Sequence, residues 1–202
     1  MFVRNSDIAD IFDQIADGLE IEGENPFKIR AYRNASRTIR GLGPELKDMV
    51  AAGENPTELP GIGRELAAKI IEILETGTAQ ALEKLKQRVP AGVMEMLRIP
   101  GLGPKRAGAL YRDLKIESPT ALKEAAADGR VRKLPGFGTK TEQRIREALE
   151  ALSQRPARVS IAAAGPQVES LVAYLQQIPG VKTATAAGSF RRGRETVGDI
   201  DI

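Results

Sequence analysis

Apolar positions near the start of the chain recur with helical spacing. Ile8, Ile11, Phe12, Ile15 and Leu19 stand 3, 1, 3 and 4 residues apart, so they share one face of an amphipathic helix that Ser6 is placed to cap. A second helix is expected from near Pro26 to about Arg40, and a third after Pro44. Further along, Ser118 with Pro119 behind it reads as the cap and first position of another helix. After Ser153 the texture changes. A helix is expected over about 166–177, a turn at Pro179-Gly180, a short strand over 181–187, a turn at Gly188-Ser189, and the opening of a second strand over 199–202. A domain ending inside a strand would leave an unpaired edge, so the expectation is the front part of a longer protein.

Three pentapeptides repeat one pattern: LPGIG at 59–63, IPGLG at 99–103 and LPGFG at 134–138. A shorter helical segment precedes each, and a helix-like stretch follows: RELAAKIIEIL, PKRAGALYRDL and TKTEQRIREAL. The repeated unit is helix, tight glycine turn, helix. Gly61, Gly63, Gly101, Gly103, Gly136 and Gly138 allow positive φ and leave no side chain between backbone and ligand. The first N–H groups of the next helix then point outward with its dipole behind them, which suits a phosphate oxygen. Such a contact reads backbone rather than bases. Lys105 and Arg106 lie beside the second turn, Lys140 and Arg144 beside the third.

Composition removes whole classes of chemistry. With no Cys, His or Trp among 202 residues, a disulfide framework, a cysteine zinc site and any imidazole base are excluded, and a metal must be held by oxygen. No segment approaches the roughly 20 apolar residues of a membrane span, and the start lacks the apolar block of a signal peptide, so the expected location is cytoplasmic. The net charge of +3 is uneven: residues 1–90 carry 12 basic and 15 acidic groups, 91–155 carry 13 and 8, and 156–202 carry 5 and 4. A break in pattern between Gln87 and Gly92, where the balance changes sign, marks a boundary. The expected domains are 1–88, 89–154 and 155–202. A second basic patch is local: Arg30, Arg33, Arg37 and Arg40 fall on one face of the second helix, with Lys28 at its start, Tyr32 beside the row, and no acid in residues 25–44. A run without compensating acids argues for an anionic partner.

Near the end, Gly188-Ser189-Phe190-Arg191-Arg192-Gly193 is followed by Gly198-Asp199-Ile200-Asp201. On a strand, Asp199 and Asp201 project together while Ile200 faces the core. Two such carboxylates can bind Mg²⁺ ions that keep water and accept phosphate oxygens. The Gly188-Ser189 turn offers N–H groups and a hydroxyl to a triphosphate, and Arg192 neutralises its charge. Together these are the parts of a nucleotidyl-transfer site.

The repeated turn resembles the helix-hairpin-helix motif of DNA-binding proteins, in which the hairpin backbone grips a phosphate, often with a monovalent cation (K⁺ or Na⁺) on its carbonyls. The whole chain resembles the front of a family X DNA polymerase of the bacterial type. Gly188, Ser189, Arg192, Gly198, Asp199 and Asp201 match that family's palm signature. The resemblance implies a mainly α fold with a C-terminal α+β start: a small helical lyase-like domain, a fingers domain with two hairpins, and the truncated opening of a nucleotidyltransferase palm. It implies template-directed gap filling with dNTPs and Mg²⁺ or Mn²⁺, on gapped or nicked duplex DNA whose 5′-phosphate the small domain holds, by a monomer acting in repair at the bacterial nucleoid. Arg158 falls where the family contacts the triphosphate. Lys69 falls where lyase-competent relatives form a Schiff base with 5′-deoxyribose phosphate, and Lys28 and Tyr32 where they surround the 5′-phosphate; Glu65, Thr78 and Ala81 replace lysines that several relatives carry there. Two other readings stay open: a non-catalytic helix-hairpin-helix binding module, and a nucleotidyltransferase that adds nucleotides without a template. The segment 188–201 discriminates against the first.

Overall fold

The computed structural model describes residues 3–154, 159–178, 180–181, 183–191, 196–197 and 201–202, and these are mainly α-helical. Helix α1 (Asn5–Glu22) ends at Gly23, whose φ of +79° turns the chain toward α2 (Pro26–Arg40). The expected apolar face of α1 is buried, with Ile8, Phe12 and Ile15 at most 1% exposed. Phe12 meets Tyr32 of α2 edge to face, their ring centroids 5.5 Å apart. Ser6, expected as the cap, instead lies inside α1. The N–H of Arg4 donates to the Asp7 carboxylate at 2.9 Å and closes the helix start. Asn5 turns inward, its amide donating to the Pro44 carbonyl and its oxygen accepting from the Leu46 N–H, each at 2.8 Å. Those two bonds satisfy a buried polar side chain and tie α1 to α3 (Leu46–Ala51), a tertiary advantage that a serine cap lacks.

Then follow α4 (Arg64–Thr76), α5 (Gln80–Arg88), α6 (Ala91–Met96), α7 (Pro104–Leu114), α8 (Pro119–Ala127) and α9 (Thr139–Gln154). Short 3-10 turns, Pro56–Glu58 and Val131–Lys133, precede the first and third repeats, and α6 precedes the second. The Ser118 cap of α8 is observed, its hydroxyl accepting from the Ala121 N–H at 3.2 Å.

Residues 1–149 form one compact unit and 150–202 a second. Within the first, a cluster of buried apolar side chains runs from Val3 to Leu85. α1 also reaches α7. A Cβ on Gly108 would stand 2.7 Å from the Ile21 carbonyl oxygen, and Arg112 donates to that same oxygen. The junction expected near residue 88 therefore lies inside this unit.

In the second unit, β1 (Val159–Ser160) pairs antiparallel with β2 (Thr196–Val197). Helix α10 (Ile161–Gln176) begins five residues before the expected Pro166, because the Ser160 hydroxyl caps it, accepting from the Ala163 N–H at 3.2 Å. Pro166, already inside the helix, removes one hydrogen bond without ending it. The strand expected over 181–187 is not one in residues 181 and 183–187, whose backbone bonds run from the Val181 N–H to the Ile178 carbonyl at 3.1 Å and from the Ala187 N–H to the Asp201 carbonyl at 2.8 Å, and form no ladder. Strand residues need a partner's ladder as well as β propensity. Gly188-Ser189, expected as an open turn, starts the short helix α11 (Gly188–Arg191), and residues 201–202 are not in a strand.

Candidate nucleic-acid interface

The three repeats adopt the same turn. Pro60, Pro100 and Pro135 occupy the second position and Gly61, Gly101 and Gly136 the third, with φ of +76°, +84° and +80°. The fourth residue's N–H closes each turn onto the first carbonyl, from Ile62 to Leu59 at 3.1 Å, Leu102 to Ile99 at 3.0 Å and Phe137 to Leu134 at 3.0 Å. These are type II turns, which require positive φ at the third position. Ile62, Leu102 and Phe137 are buried and pin each turn to the core, while the glycines on either side stay exposed.

The second glycine of each repeat has a different reason to be there. Gly63 and Gly103 have φ of −82° and −80°, open to any residue, and a Cβ on Gly63, Gly103 or Gly138 would meet nothing within 4 Å. Folding does not require glycine at these places. The open space leaves the backbone there accessible. The first N–H groups of α4 and α7 have no partner in their own helix and receive no side-chain cap, so they are available to an anion.

Among the cations beside the turns, Lys105, Lys140 and Arg144 are exposed. Arg106 is committed elsewhere: its guanidinium donates to the Gly101 carbonyl at 2.9 Å and lies 6.0 Å from the Phe137 ring centroid. It thus links the second hairpin to the third.

The arginine row of α2 divides. At about 100° per residue, Arg33 and Arg40 lie about 60–80° round the helix from Arg30, while Arg37 lies within about 20° of it. The displaced pair faces α1. Arg33 bonds Asp17 and stands 3.6 Å from both Asp13 and Glu20, and Arg40 pairs with Asp10 at 2.6 Å and Asp13 at 2.9 Å. The row expected to lack compensating acids is therefore half compensated, by a neighbouring helix rather than its own. Arg33, expected to face an anionic partner, is engaged by these α1 carboxylates. Arg30, stacked 4.6 Å from the Phe27 ring centroid, and Arg37 remain exposed.

Lys28 and Tyr32 line a cavity of about 190 Å³ together with Lys84 and Arg88 of α5. Its floor is Ile15, Leu19, Ala81 and Leu85. Lys84 and Arg88 were missed by the sequence reading. Their signal was the spacing Ala81, Lys84, Leu85, Arg88, one face of a nine-residue helix. Arg88 also pairs with Glu22 at 3.0 Å. Lys69 of α4 is not among these lining residues; it lies within hydrogen-bonding reach of Tyr32, and its Nζ donates to Glu65 Oε1 at 2.9 Å. Burial pulls Lys69 down, but the bond to Glu65 and the charges of Tyr32 and Glu65 outweigh it and its pKa ends above the usual lysine value. Glu65 is held below the usual glutamate value, first by the same bond. Burial pushes the Tyr32 hydroxyl up.

In the second unit, Gly188 has φ of +54°, and a Cβ there would collide with the Asp201 carboxylate, so that carboxylate lies against the glycine backbone. Arg158, Arg192, Gly198 and Asp199 lie outside the described residues. Among the described residues no three acidic groups converge as a metal site, and no helix is long and apolar enough to cross a membrane.

Residues 3–79 match the helix-hairpin-helix domain family, and residues 93–151 match the SAM-like helix-hairpin-helix tandem. The first match holds one turn and the second holds two. Over 98% of its length the chain is 34% identical to the DNA polymerase/3′-5′ exonuclease PolX of Bacillus subtilis (strain 168), and 26% identical to DNA polymerase lambda of Rattus norvegicus. The chain matches the N-terminal region of the family X DNA polymerases. It spans about a third of the length of these family X relatives, 34% and 31% respectively.

Proposed function

We propose that this chain is the DNA-gripping front of a gap-filling DNA polymerase, a nucleotidyltransferase that adds dNTPs to a primer 3′-hydroxyl. The observation that carries the reading is the second glycine of each hairpin, needed by no internal contact and placed where a phosphate oxygen can reach the helix N–H groups. Gly61 and Gly63 would hold one strand, and the hairpins at Gly101–Gly103 and Gly136–Gly138, with Lys105 and Lys140, another. The cavity of Lys28, Tyr32, Lys84 and Arg88 would take the downstream 5′-phosphate, its cations supplying charge and its apolar floor excluding water. Binding should therefore weaken steeply with salt and depend little on sequence.

For the transfer itself, Asp201 offers carboxylate oxygens beside the Gly188 backbone, a donor set that suits a hard divalent cation. Asp199 and Asp201 would hold Mg²⁺ or Mn²⁺, which when bound supplies the positive charge that phosphoryl transfer requires. Gly188 and Ser189 would orient the triphosphate, with Arg192 and Arg158 neutralising it.

The test uses fluorescence anisotropy on one-nucleotide-gapped duplexes with and without a 5′-phosphate, together with primer extension. The 202 residues should bind gapped DNA, prefer the phosphorylated gap, and not extend a primer alone. In a chain carrying a complete catalytic domain, Asp199→Ala should abolish incorporation at unchanged DNA affinity. Incorporation that survives Asp199→Ala would remove that carboxylate from the catalytic site, and gapped-DNA binding without any incorporation by the complete chain would leave only the binding-module reading.

A further inference from the structure

We infer that Gly108 and Arg112 of α7 are positioning residues that hold the first hairpin at a fixed span from the other two, so that the three turns together select DNA by the length of its gap. The inference rests on the proposal that these turns grip gapped DNA, and it adds what sets their spacing.

The seam is built on the end of α1. The last four carbonyls of a helix lack partners within it. Here the Glu24 N–H donates to the Leu19 carbonyl at 2.9 Å and the Gly23 N–H to the Glu20 carbonyl at 3.1 Å. The next carbonyl, that of Ile21, accepts from the Arg112 guanidinium, 91 residues further along the chain. α1 has no basic residue in its own last turn, so Arg112 also brings the positive charge that a helix C-terminus favours. Gly108, one turn before Arg112, lets the two backbones meet: a Cβ there would stand 3.0 Å from the Ile21 Cα. The residues at the same place after the first and third turns are Ala68 and Gln143. Glycine is unfavourable inside a helix, and α7 carries one where α1 crosses it.

α7 is also where the second and third turns converge. It starts directly after the second turn, and its Arg106 donates to the Gly101 carbonyl and lies against the Phe137 ring of the third. On the other side of the seam, the Thr38 hydroxyl of α2 donates to the Pro60 carbonyl of the first turn at 3.0 Å, and α2 packs on α1 through Tyr32 and Phe12. Contacts therefore run from all three turns to the one crossing of α1 and α7. Binding elements on a fixed frame act together when the phosphates lie at the matching span, and lose that advantage at any other. A loose frame would fit many gap lengths, each at a larger cost in ordering.

The test uses the 202-residue chain, Arg112→Met, which keeps an unbranched side chain but cannot donate, and Arg112→Lys as the conservative rescue. The chain holds no Cys, so spin labels on Glu54→Cys, ahead of the first turn, and Lys123→Cys of α8, both exposed positions, report a single distance by double electron–electron resonance. Without DNA, the chain with Arg112 intact should give a narrow distance distribution, Arg112→Met a broad one and Arg112→Lys an intermediate one. Anisotropy on 5′-phosphorylated duplexes with a single-nucleotide gap or progressively longer ones should then show a preferred length. From the preferred gap to the longest, Kd should rise about tenfold or more in wild type and about threefold or less in Arg112→Met. The slope of log Kd against log salt should stay the same. An Arg112 that touched phosphate directly would instead lower that slope by about one on every gap, and one that only stabilised the fold would lower Tm and leave the length preference intact. Either of those results, or a broad distribution with Arg112 in place, would overturn the inference alone. Equal affinity of wild type for intact and gapped duplex would overturn the gap reading, and the inference with it.

Discussion

Two alanine substitutions two residues apart should have opposite effects on stability and unequal effects on binding. Gly61 sits at φ +76°, where an L-residue costs about 1–2 kcal/mol. For a unit the size of residues 1–149, about 1 kcal/mol moves Tm by about 2–4 °C, so Gly61→Ala should lower Tm by about 2–8 °C. Gly63 sits at φ −82° and ψ 175° with nothing within 4 Å of an added Cβ. Gly63→Ala should instead gain about 0.4–1 kcal/mol by restricting the unfolded chain, raising Tm by up to about 4 °C. Its methyl group nevertheless stands where a DNA phosphate would meet the start of α4. Losing one hydrogen bond to a charged group costs about 1.5–3 kcal/mol, or about 10- to 100-fold in Kd. The slope of log Kd against log salt should not change, because no cation is removed. Thermal melts followed by circular dichroism and anisotropy on gapped duplex at several salt concentrations give all three quantities. A Gly63→Ala variant that melts as early as Gly61→Ala, or that binds as tightly as wild type, would refute the assignment of its glycine to an external partner.

Lys105→Gln should reduce the salt slope by about one unit, whereas Arg106→Gln, whose side chain holds Gly101 and Phe137, should weaken binding at nearly constant slope; titrations at four salt concentrations distinguish them. Gly108→Ala places a Cβ 2.7 Å from the Ile21 carbonyl oxygen and 3.0 Å from its Cα, backbone atoms that cannot turn away. Overpacking of this kind costs about 1–3 kcal/mol, and an unchanged Tm would show that α1 and α7 part more easily than the structure indicates. Because the folded-state pKa of Glu65 is lowered, its stabilising contribution is present above its ordinary value of 4.5 and lost as pH falls through the folded-state value. The Tm of Glu65→Gln should therefore lie below wild type at pH 7 and approach it as pH falls below 4.5; a constant difference as the pH is lowered would contradict the ion pair.

The hairpins were legible in the sequence because their determinants are local. Proline presets one turn position, glycine alone suits the next, and an apolar residue follows, so five residues specify the shape wherever a core exists to receive Ile62, Leu102 or Phe137. The same locality made the α1 face and the Ser118 cap readable. Charge was not local. Arg33 and Arg40 looked uncompensated along α2 because the acids that neutralise them, Asp10, Asp13, Asp17 and Glu20, belong to α1 and become neighbours only when the two helices pack. Ser6 gave way to Asn5 because a bond to a loop some forty residues away satisfies a buried amide, which no cap preference anticipates. The cavity of Lys28, Tyr32, Lys84 and Arg88 exists only where α1, α2 and α5 meet. Turn geometry and helix faces are thus settled by the chain's own short-range sterics, whereas the partners of its charges are settled by distance in space, which only the packed helices define.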